Sequence, residues 1–278
     1  MPELPEVETI RRHLAPHVEQ RTLRRLEVLD ERWSRPLAPQ ELAAAVEGRA
    51  VTRLARRGKY LVWELEDEVF LLVHLRMTGT LRLDPPGDPP PHTRVWLRVD
   101  DHDLAFTDPR RFGTGELALG IEQRDAFFAT RLGLEPYADD FTADHLHALA
   151  RSSRAPIKAF LLDQKRIAGV GNIYADEALF RARLHPLRHA NRLTRPQAAA
   201  LRDAIVASLD AGIAAKGATI DDFRDPDGVS GTFQDQFLVH RREGEPCPRC
   251  GNPIRKLRAA GRGTYVCERC QPRPRYAA

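Results

Sequence analysis

Two closely spaced pairs of cysteines near the carboxyl end constrain the fold of this chain more than any other feature. Cys247 and Cys250 form the first pair, Cys267 and Cys270 form the second, and the sequence contains no other cysteine. A two-residue spacer lets both thiolates of a pair bind one ion, and two such pairs complete a tetrahedral zinc site. We therefore predict one structural zinc ion, because four thiolates leave no coordination position open for a substrate.

The segment between the two cysteine pairs is basic and is predicted to form a short hairpin. Its basic residues are Arg255, Lys256, Arg258 and Arg262, and its aromatic residue is Tyr265. A basic hairpin of this kind suits contacts with phosphate groups better than it suits a catalytic pocket. Redox-active cysteines remain an alternative interpretation of the two pairs.

The composition indicates a folded chain with a basic bias. Hydrophobic residues make up 42% and charged residues 29% of the 278 residues, a balance typical of globular proteins. Arginine predominates among the 43 basic residues, which suits phosphate and base contacts, although a solvated basic surface explains the charge equally well. No apolar run approaches the ~18–20 residues of a membrane span, and the amino terminus is acidic, so we expect a cytoplasmic protein.

Hydrophobic periodicity divides the chain into a β-rich first part and a helical second part, with a boundary near residues 131–140. Residues 2–14 have the spacing of a helix, and the proline-rich segment 84–92 is predicted to be a surface loop. Strands are predicted at Tyr60–Leu65, Val69–Leu75, Arg94–Val99 and Asp103–Phe106, in an antiparallel sandwich or barrel. Helices are predicted at residues 142–150, 156–163, 172–183 and 195–215, and residues 217–236 are predicted to form a mobile functional loop.

The amino terminus offers a candidate nucleophile. Removal of Met1 exposes the secondary amine of Pro2, and an α-amino group has a pKa of about 8 against about 10.4 for lysine. Glu3 and Glu6 follow at the i,i+3 spacing of a helix and could move protons beside that amine. The same two acids would also favour a helix amino terminus through its dipole, so their spacing leaves both interpretations open.

Three further segments admit two interpretations each. A glycine turn before Asn172, which we predict to cap the following helix, could bind phosphate, but an ordinary helix connection is favoured. The turn that carries Arg110 and Phe112 could insert between bases, although Phe112 and Met77 are more often core residues. Lys59 between two predicted strands is by itself only a basic turn residue.

Taken together, these segments resemble the formamidopyrimidine-DNA glycosylase family from end to end and in order. The resemblance implies an α+β fold with a β-sandwich that opens with a helix, a helix–two-turn–helix domain and a four-cysteine zinc finger. The corresponding ranges are residues 1–130, 140–236 and 237–272. The matching segments are PELPEVET at residues 2–9, GKYL at 58–61, TDPRRFG at 107–113, GVGNIY at 169–174 and the four-cysteine segment.

The resemblance also implies roles for single residues. It makes Pro2 the nucleophile, Glu3 the general acid and base, Glu6 a supporting proton carrier, and Lys59 a phosphate ligand that assists elimination. It reverses the core interpretation of Met77 and Phe112 and the connection interpretation of Asn172. The implied DNA-binding residues are Met77, Arg110, Phe112, Asn172, Arg262 and His74.

The implied activity is base excision repair by a bifunctional DNA glycosylase and abasic-site lyase. Its expected partner is duplex DNA that contains oxidised purines or abasic sites, bound by a monomer that associates with the nucleoid. A sister group that excises oxidised pyrimidines is the nearest alternative, and Leu4 and the Asp-Pro-Arg-Arg-Phe run favour the purine group. A zinc-finger DNA-binding protein without catalysis is the alternative of another class.

Overall fold

The computed structural model describes residues 2–220 and 223–274, which form two compact units. The first unit comprises residues up to Thr130 together with Ile213–Thr232, and the second comprises Arg131–Gly212 and the chain from Phe233. The sequence interpretation placed residues 140–236 in one helical domain, whereas the segment 213–232 packs with the first unit. The functional limits of the three domains stay a prediction.

The first unit is a β-sandwich behind an opening helix, α1 (Leu4–Val18). Within the described residues its two antiparallel sheets have the strand orders β1-β6-β7-β5 and β2-β3-β4-β8. Shorter helices α2 (Pro39–Val46) and α3 (Ile121–Ala129) complete the unit. The strands are β1 (Leu23–Val28), β2 (Val51–Arg57), β3 (Tyr60–Leu65), β4 (Val69–His74), β5 (Thr80–Leu83), β6 (Thr93–Val99), β7 (His102–Thr107) and β8 (Thr114–Leu119).

One hydrophobic core joins α1 to both sheets. Ile10 from the helix, Trp63 from β3 and Phe106 from β7 are all fully buried in it. β3 is central in its sheet and is buried at almost every position, so its sequence is a continuous apolar run. This packing fixes the amino terminus of α1 relative to the strands.

Among its described residues the second unit has four α-helices and a hairpin. The helices are α4 (Ala143–Arg151), α5 (Ile157–Leu162), α6 (Asn172–Arg181) and α7 (Arg195–Ala214), and the hairpin consists of β9 (Arg255–Ala259) and β10 (Arg262–Val266). A small core around Phe180, Val239 and Ile254 packs against Cys247 and Cys267. The predicted α+β fold class is therefore confirmed, including the hairpin between the two cysteine pairs. No helix in the described ranges is long and apolar enough to cross a membrane.

The prediction identified four of the eight strands described in the first unit and missed β1, β2, β5 and β8. β3 matches its prediction residue for residue, but β1 and β2 are absent from the prediction. The register of β1 shifts between Leu23 and Arg25, and that of β2 shifts between Val51 and Arg53. A β-bulge interrupts the alternation of side chains, so the buried residues of these strands lack a period of two.

Candidate active site and nucleic-acid interface

The predicted nucleophile and both predicted proton carriers lie at the amino-terminal end of α1. Pro2 is buried, and the Glu3 and Glu6 side chains are each 1% exposed. The Glu6 Oε2 atom accepts a hydrogen bond from the Glu3 N–H at 2.8 Å. The first turn of a helix has N–H groups without helical partners and the positive end of the helix dipole, and both stabilise carboxylates there. Pro2, Glu3 and Glu6 therefore lie together at the start of α1 and are shielded from solvent.

Glu6 also holds the segment that returns to the first unit. Its Oε1 atom accepts a hydrogen bond from the Ala218 N–H at 2.8 Å. Gly217 has a φ of +82°, and a Cβ atom there would lie 2.9 Å from the Glu6 Cγ atom. A single buried carboxylate thus joins the start of α1 to the first residues of the loop 217–236. Asp221 and Asp222 of that loop lie outside the described residues.

Lys59 lies in the turn between β2 and β3 and is 6% exposed. Gly58 has a φ of +56°, and the Arg56 Nη1 atom donates to its carbonyl oxygen at 3.0 Å. Helix α1 packs against β2 and β3, the strands on either side of this turn. The structure therefore places Lys59 in the same unit as Pro2, on strands that α1 contacts directly.

Glu8, which the sequence interpretation did not single out, connects α1 to the Lys59 turn. Its Oε2 atom accepts from the Arg56 Nε atom at 3.2 Å. Burial alone would raise the pKa of Glu8, but hydrogen bonds from Arg11 and Arg12 lower that pKa to about 2. Glu8 is consequently ionised at all physiological pH values and keeps Arg56 in position.

His74, at the end of β4, is a neutral hydrogen-bond acceptor. Its Nδ1 atom accepts from the Arg76 N–H at 2.9 Å, and its ring meets the Tyr60 ring edge-on at 4.5 Å between centroids. Burial, together with the positive charges of Arg76 and Lys59, lowers the pKa of His74 to about 3. The imidazole therefore fixes the turn that carries Met77 and adds no positive charge to it.

A buried carboxylate organises the turn of residues 108–113, which we call the Asp108 turn. Asp108 is fully buried, and its Oδ2 atom accepts the N–H groups of Phe112 at 2.8 Å and Gly113 at 2.7 Å. Its Oδ1 atom accepts the Arg110 N–H at 3.2 Å and the Thr78 hydroxyl. Asp108 therefore connects this turn to the neighbouring turn at residues 76–78.

The Asp108 turn presents two side chains to solvent. Arg110 is exposed, Phe112 is 52% exposed, and the guanidinium lies 5.5 Å from the centre of the phenyl ring. Met77, on the turn tied to Asp108, is half-buried. The interpretation of Phe112 as a core residue, which local sequence favoured, is therefore wrong.

The four cysteines converge as predicted. Their sulfur atoms lie within 4.8 Å of one another, with 3.9 Å between the Sγ atoms of Cys247 and Cys270 and 3.5 Å between those of Cys250 and Cys267. A tetrahedral ion with metal–sulfur bonds of about 2.3 Å requires sulfur atoms about 3.8 Å apart. The residues present therefore fit a structural metal ion.

Lys158, to which the sequence interpretation gave no role, ties the hairpin to the helices. It is fully buried, and its Nζ atom donates to Asp176 Oδ1 at 2.7 Å, Thr264 Oγ1 at 2.8 Å and the Gly263 carbonyl at 3.2 Å. The other Asp176 oxygen lies 2.8 Å from His240 Nδ1. The hairpin that carries Arg262 is thus held in place by a buried ionic network as well as by the cysteines.

The predicted phosphate ligands Asn172 and Arg262 meet at this hairpin. The Asn172 Nδ2 atom donates to the Gly263 carbonyl at 3.2 Å, next to the exposed Arg262. The residue that caps α6 is Gly171 and not Asn172, which is a correction to the sequence interpretation. The Asn172 side chain is directed to the hairpin instead, and its buried Oδ1 atom has no hydrogen-bond partner within the described residues.

Each unit thus collects its own part of the predicted set. The first unit holds the candidate catalytic residues together with the two turns of Met77 and Arg110, and the second holds Asn172, Arg262 and the cysteines. Sequence reasoning missed the residues that position this set, chiefly Asp108, Glu8 and Asp176. The Asp-Pro pair at Asp108 is a turn signal that could have identified the first of these.

The comparisons with known proteins cover all three parts of the chain. Residues 1–115 match the formamidopyrimidine-DNA glycosylase N-terminal domain, and residues 132–224 match the formamidopyrimidine-DNA glycosylase H2TH domain. Residues 244–273 match a zinc finger found in FPG and IleRS. The formamidopyrimidine-DNA glycosylase of Thermus thermophilus is 45% identical over 273 residues, which cover 98% of each chain.

Solved structures agree with these matches. A complex of Lactococcus lactis Fpg with DNA that contains an abasic site has a TM-score of 0.90 and 34% identity, covering 98% of this chain and all of that one. A complex of MutM with DNA that contains carbocyclic 8-oxo-G has a TM-score of 0.90 and 36% identity, with the same coverage.

Proposed function

The chain belongs to the formamidopyrimidine-DNA glycosylase family and is a DNA glycosylase, and from this premise we propose that it removes oxidised purines from duplex DNA and then cleaves the strand. Its substrates would be 8-oxoguanine and formamidopyrimidines, since related proteins have been crystallised with DNA that contains 8-oxo-G or Fapy-dG. The protein would act as a monomer in the bacterial cytoplasm and associate with the nucleoid when it binds DNA.

The observation that supports catalysis most directly is the burial of Glu3 and Glu6 beside Pro2. After removal of Met1, Pro2 would carry a free α-amino group, whose ordinary pKa of about 8 leaves part of it neutral at physiological pH. A neutral secondary amine is a nucleophile, whereas an ammonium ion is not. Glu3 can take up and return protons at the sugar and at the base, and Glu6 can pass them on.

The reaction requires the damaged nucleotide to leave the helix, because its sugar cannot be attacked within the base stack. Met77 and Phe112 would fill the gap, and Arg110 would contact the unpaired cytosine. Lys59, His74, Asn172 and Arg262 would bind the backbone around the extruded nucleotide. Because His74 stays neutral, it would contribute a hydrogen bond and not a charge.

The two activities follow from one covalent bond. The Pro2 nitrogen attacks C1′, the bond from C1′ to the base breaks, and the departing base takes up a proton. The Pro2 nitrogen then loses its proton while the bond from C1′ to O4′ breaks and O4′ is protonated, which opens the sugar ring and leaves an iminium ion. The iminium acidifies the C2′ hydrogens, so that loss of a proton breaks the bond from C3′ to its phosphate. A second elimination breaks the bond from C5′ to its phosphate, and water releases Pro2 from the sugar remnant.

The loop 217–236 would close over the extruded base and select it. The hydrogen bond from Ala218 to Glu6 supports this role, because it connects the first residues of the loop to a proposed proton carrier. A base that keeps the loop in place would therefore also keep Glu6 in place. This arrangement would couple recognition of the base to the chemistry at Pro2.

We assign the metal ion of the four cysteines as a single structural Zn²⁺, with Cys247, Cys250, Cys267 and Cys270 as its ligands. Four thiolates suit Zn²⁺, and a saturated site supplies folding energy rather than chemistry. The hairpin held in this way presents Arg262 to the DNA. No step of the reaction depends on the ion.

Borohydride trapping tests the mechanism. Reduction of the iminium should link the protein permanently to lesion DNA through its first residue, as located by mass spectrometry of the digested complex. Lys59→Ala is the matched control, because it removes the other candidate amine and should leave the crosslink on Pro2. A crosslink on Lys59, or full activity in a preparation that retains Met1, would contradict the proposal.

A panel of duplexes tests the substrate class. Excision of 8-oxoguanine opposite cytosine should exceed excision of 8-oxoguanine opposite adenine, because Arg110 would read the cytosine. Thymine glycol should be the poorest substrate of the three. Preferred excision of thymine glycol would place the chain with the enzymes that excise oxidised pyrimidines.

A further inference from the structure

A polar cavity in the second unit is lined by none of the residues that were given a role above. It has a volume of about 750 Å³ and is formed by the end of α4, the turn that follows it and the segment before α7. We call it the arginine pocket. Its lining residues are His147, Arg151, Arg154, His189, Asn191, Arg192, Leu193 and Thr194.

The pocket concentrates positive charge without acidic partners. Arg151, Arg154 and Arg192 are exposed, and in the part of the chain that the structure describes none of them forms an ion pair. The lining includes two histidines and no aspartate or glutamate. Many other arginines of this protein are paired, as Arg202 is with Asp203 and Arg242 with Glu245. Three unpaired guanidinium groups around one concavity repel one another unless an anion lies between them.

The walls of the pocket are fixed by main-chain hydrogen bonds. The Ala190 N–H donates to the Ala155 carbonyl and the Asn191 N–H donates to the Ser153 carbonyl, both at 2.9 Å. Arg154 and Arg192 therefore project from two segments that are bonded to each other. The His147 Nε2 atom lies 3.2 Å from the Leu193 carbonyl oxygen, which ties α4 to the same wall. Such a frame is preorganised, so an incoming anion need not order the backbone.

The amino terminus of α7 adds to the positive potential. Thr194, which lines the pocket, directly precedes α7 and exchanges hydrogen bonds with Gln197 in the first turn. The helix extends over 20 residues, and its positive end adjoins the cavity. Fixed partial charge and three mobile guanidinium groups thus act on the same space.

We propose that the arginine pocket is a phosphate-binding site and that its ligand is the phosphodiester backbone of DNA outside the segment held around the lesion. One guanidinium group can bind two phosphate oxygens at once. A lining that is almost entirely polar suits phosphate better than it suits a nucleobase. The choice of DNA as the source rests on the proposed function, since a DNA glycosylase must stay on long duplexes while it searches them. Backbone contacts of this kind are independent of sequence and sensitive to salt.

The test compares two double variants of the full-length, zinc-loaded protein without Met1. Arg154→Gln with Arg192→Gln removes two charges from the pocket. Arg53→Gln with Arg183→Gln removes two charges from exposed sites elsewhere and is the matched control. Affinity is measured over a range of salt concentrations for lesion duplexes of about one and a half and about four helical turns.

The pocket variant should lower the salt slope of binding to the long duplex by about two, since each lost phosphate contact removes about one. On the short duplex it should behave as the control does. Excision from the short duplex by the unsubstituted protein reports on the proposed function separately: absence of excision there contradicts that function, whereas the salt slopes alone decide on the pocket.

Two outcomes would overturn the proposal. Equal salt slopes for the pocket and control variants on the long duplex would exclude the DNA backbone as ligand. Titration with inorganic pyrophosphate, followed by calorimetry, distinguishes the source of the phosphate. Binding of pyrophosphate that the pocket variant alone loses, without any change in the DNA salt slope, would assign the pocket to a free phosphate compound.

Discussion

Arg110 and Arg262 are both exposed arginines, one on a tight turn and the other at the start of β10, but the two segments are stabilised by different means. The Asp108 turn depends on one buried carboxylate that accepts main-chain N–H groups and a hydroxyl from nearby residues. The hairpin of β9 and β10 depends on four cysteines and on Lys158, which lies far from it in sequence.

This difference predicts different sensitivities. The Asp108 turn packs on a sandwich core and needs no ion, so it should survive any treatment that leaves the first unit folded. The hairpin has a core of few residues and is exposed along most of β9, so metal binding must supply much of its stability. Arginines with similar exposure can therefore differ greatly in how easily they are displaced.

Loss of one cysteine should produce the largest effect. Cys250→Ser should unfold the hairpin, because apparent binding energies of structural zinc sites are about 10–16 kcal/mol and are contributed to folding. Affinity for lesion duplexes should fall by about 100-fold or more as basic contacts are lost. Zinc content and duplex affinity, measured on the same preparation, check this. The first unit should still unfold cooperatively, and full affinity in a zinc-free variant would contradict the expectation.

Lys158→Met should destabilise the second unit by about 3–5 kcal/mol, since it leaves Asp176 buried without its cation. Urea unfolding of this variant and of the exposed control Lys165→Met measures the difference. A second change, Asp176→Asn, should restore part of the loss because it removes the uncompensated charge. If Lys158→Met matches its control, the buried network does not support the hairpin.

Asp108→Asn should disturb only the first of the two segments, at a cost of about 1–3 kcal/mol. The amide nitrogen of asparagine would face the N–H groups that the Asp108 carboxylate accepts, so Arg110 and Phe112 would lose their fixed positions. Discrimination between cytosine and adenine opposite the lesion should fall more than the rate of strand cleavage at a preformed abasic site. Equal losses in both assays would show that Asp108 acts on overall stability alone.

The two arginines themselves should separate specificity from affinity. Arg110→Ala should cost about 1–3 kcal/mol of discrimination between opposing bases, because a base contact specifies. Arg262→Ala should weaken binding to every duplex alike and lower the salt slope by about one, as expected for a phosphate contact. Affinities for duplexes with each opposing base, measured at several salt concentrations, distinguish the base contact from the phosphate contact. The same pattern in both variants would refute the division of roles.

Acid should lower the stability of the first unit by less than the substitutions described above. The pKa of His74 is about 3 in the folded protein and about 6.5 in an unfolded chain, so the unfolded state binds more protons between these values. The free energy of unfolding should therefore decrease as the pH is lowered below about 6.5. This group contributes at most about 1.4 kcal/mol per pH unit to the decrease. Above that pH the contribution of His74 is constant.

Denaturation of His74→Gln between pH 7.5 and 5 should show a shallower pH dependence than that of wild type. The exposed His92→Gln is the matched control. An unchanged slope in His74→Gln would mean that the imidazole is protonated in the folded protein.

The sequence alone determined the chemistry that this chain carries. The spacing of the cysteines predicted their convergence, because ligands two residues apart share an ion in any fold. Apolar runs predicted β3 and most helices to within a few residues, since a fully buried strand or an amphipathic helix leaves a local pattern. The matched segments also indicated the family, and the comparisons confirmed it.

Only the tertiary structure decided which residues position that chemistry. Phe112 points outward because the Asp108 carboxylate accepts the N–H groups around it, and nothing in the local sequence states that this carboxylate is buried. Glu6 meets Ala218 across more than two hundred residues, and Lys158 meets Thr264 across more than one hundred. Local patterns report on which face of an element is buried, whereas the partner of a buried charge is chosen by the packing of distant segments.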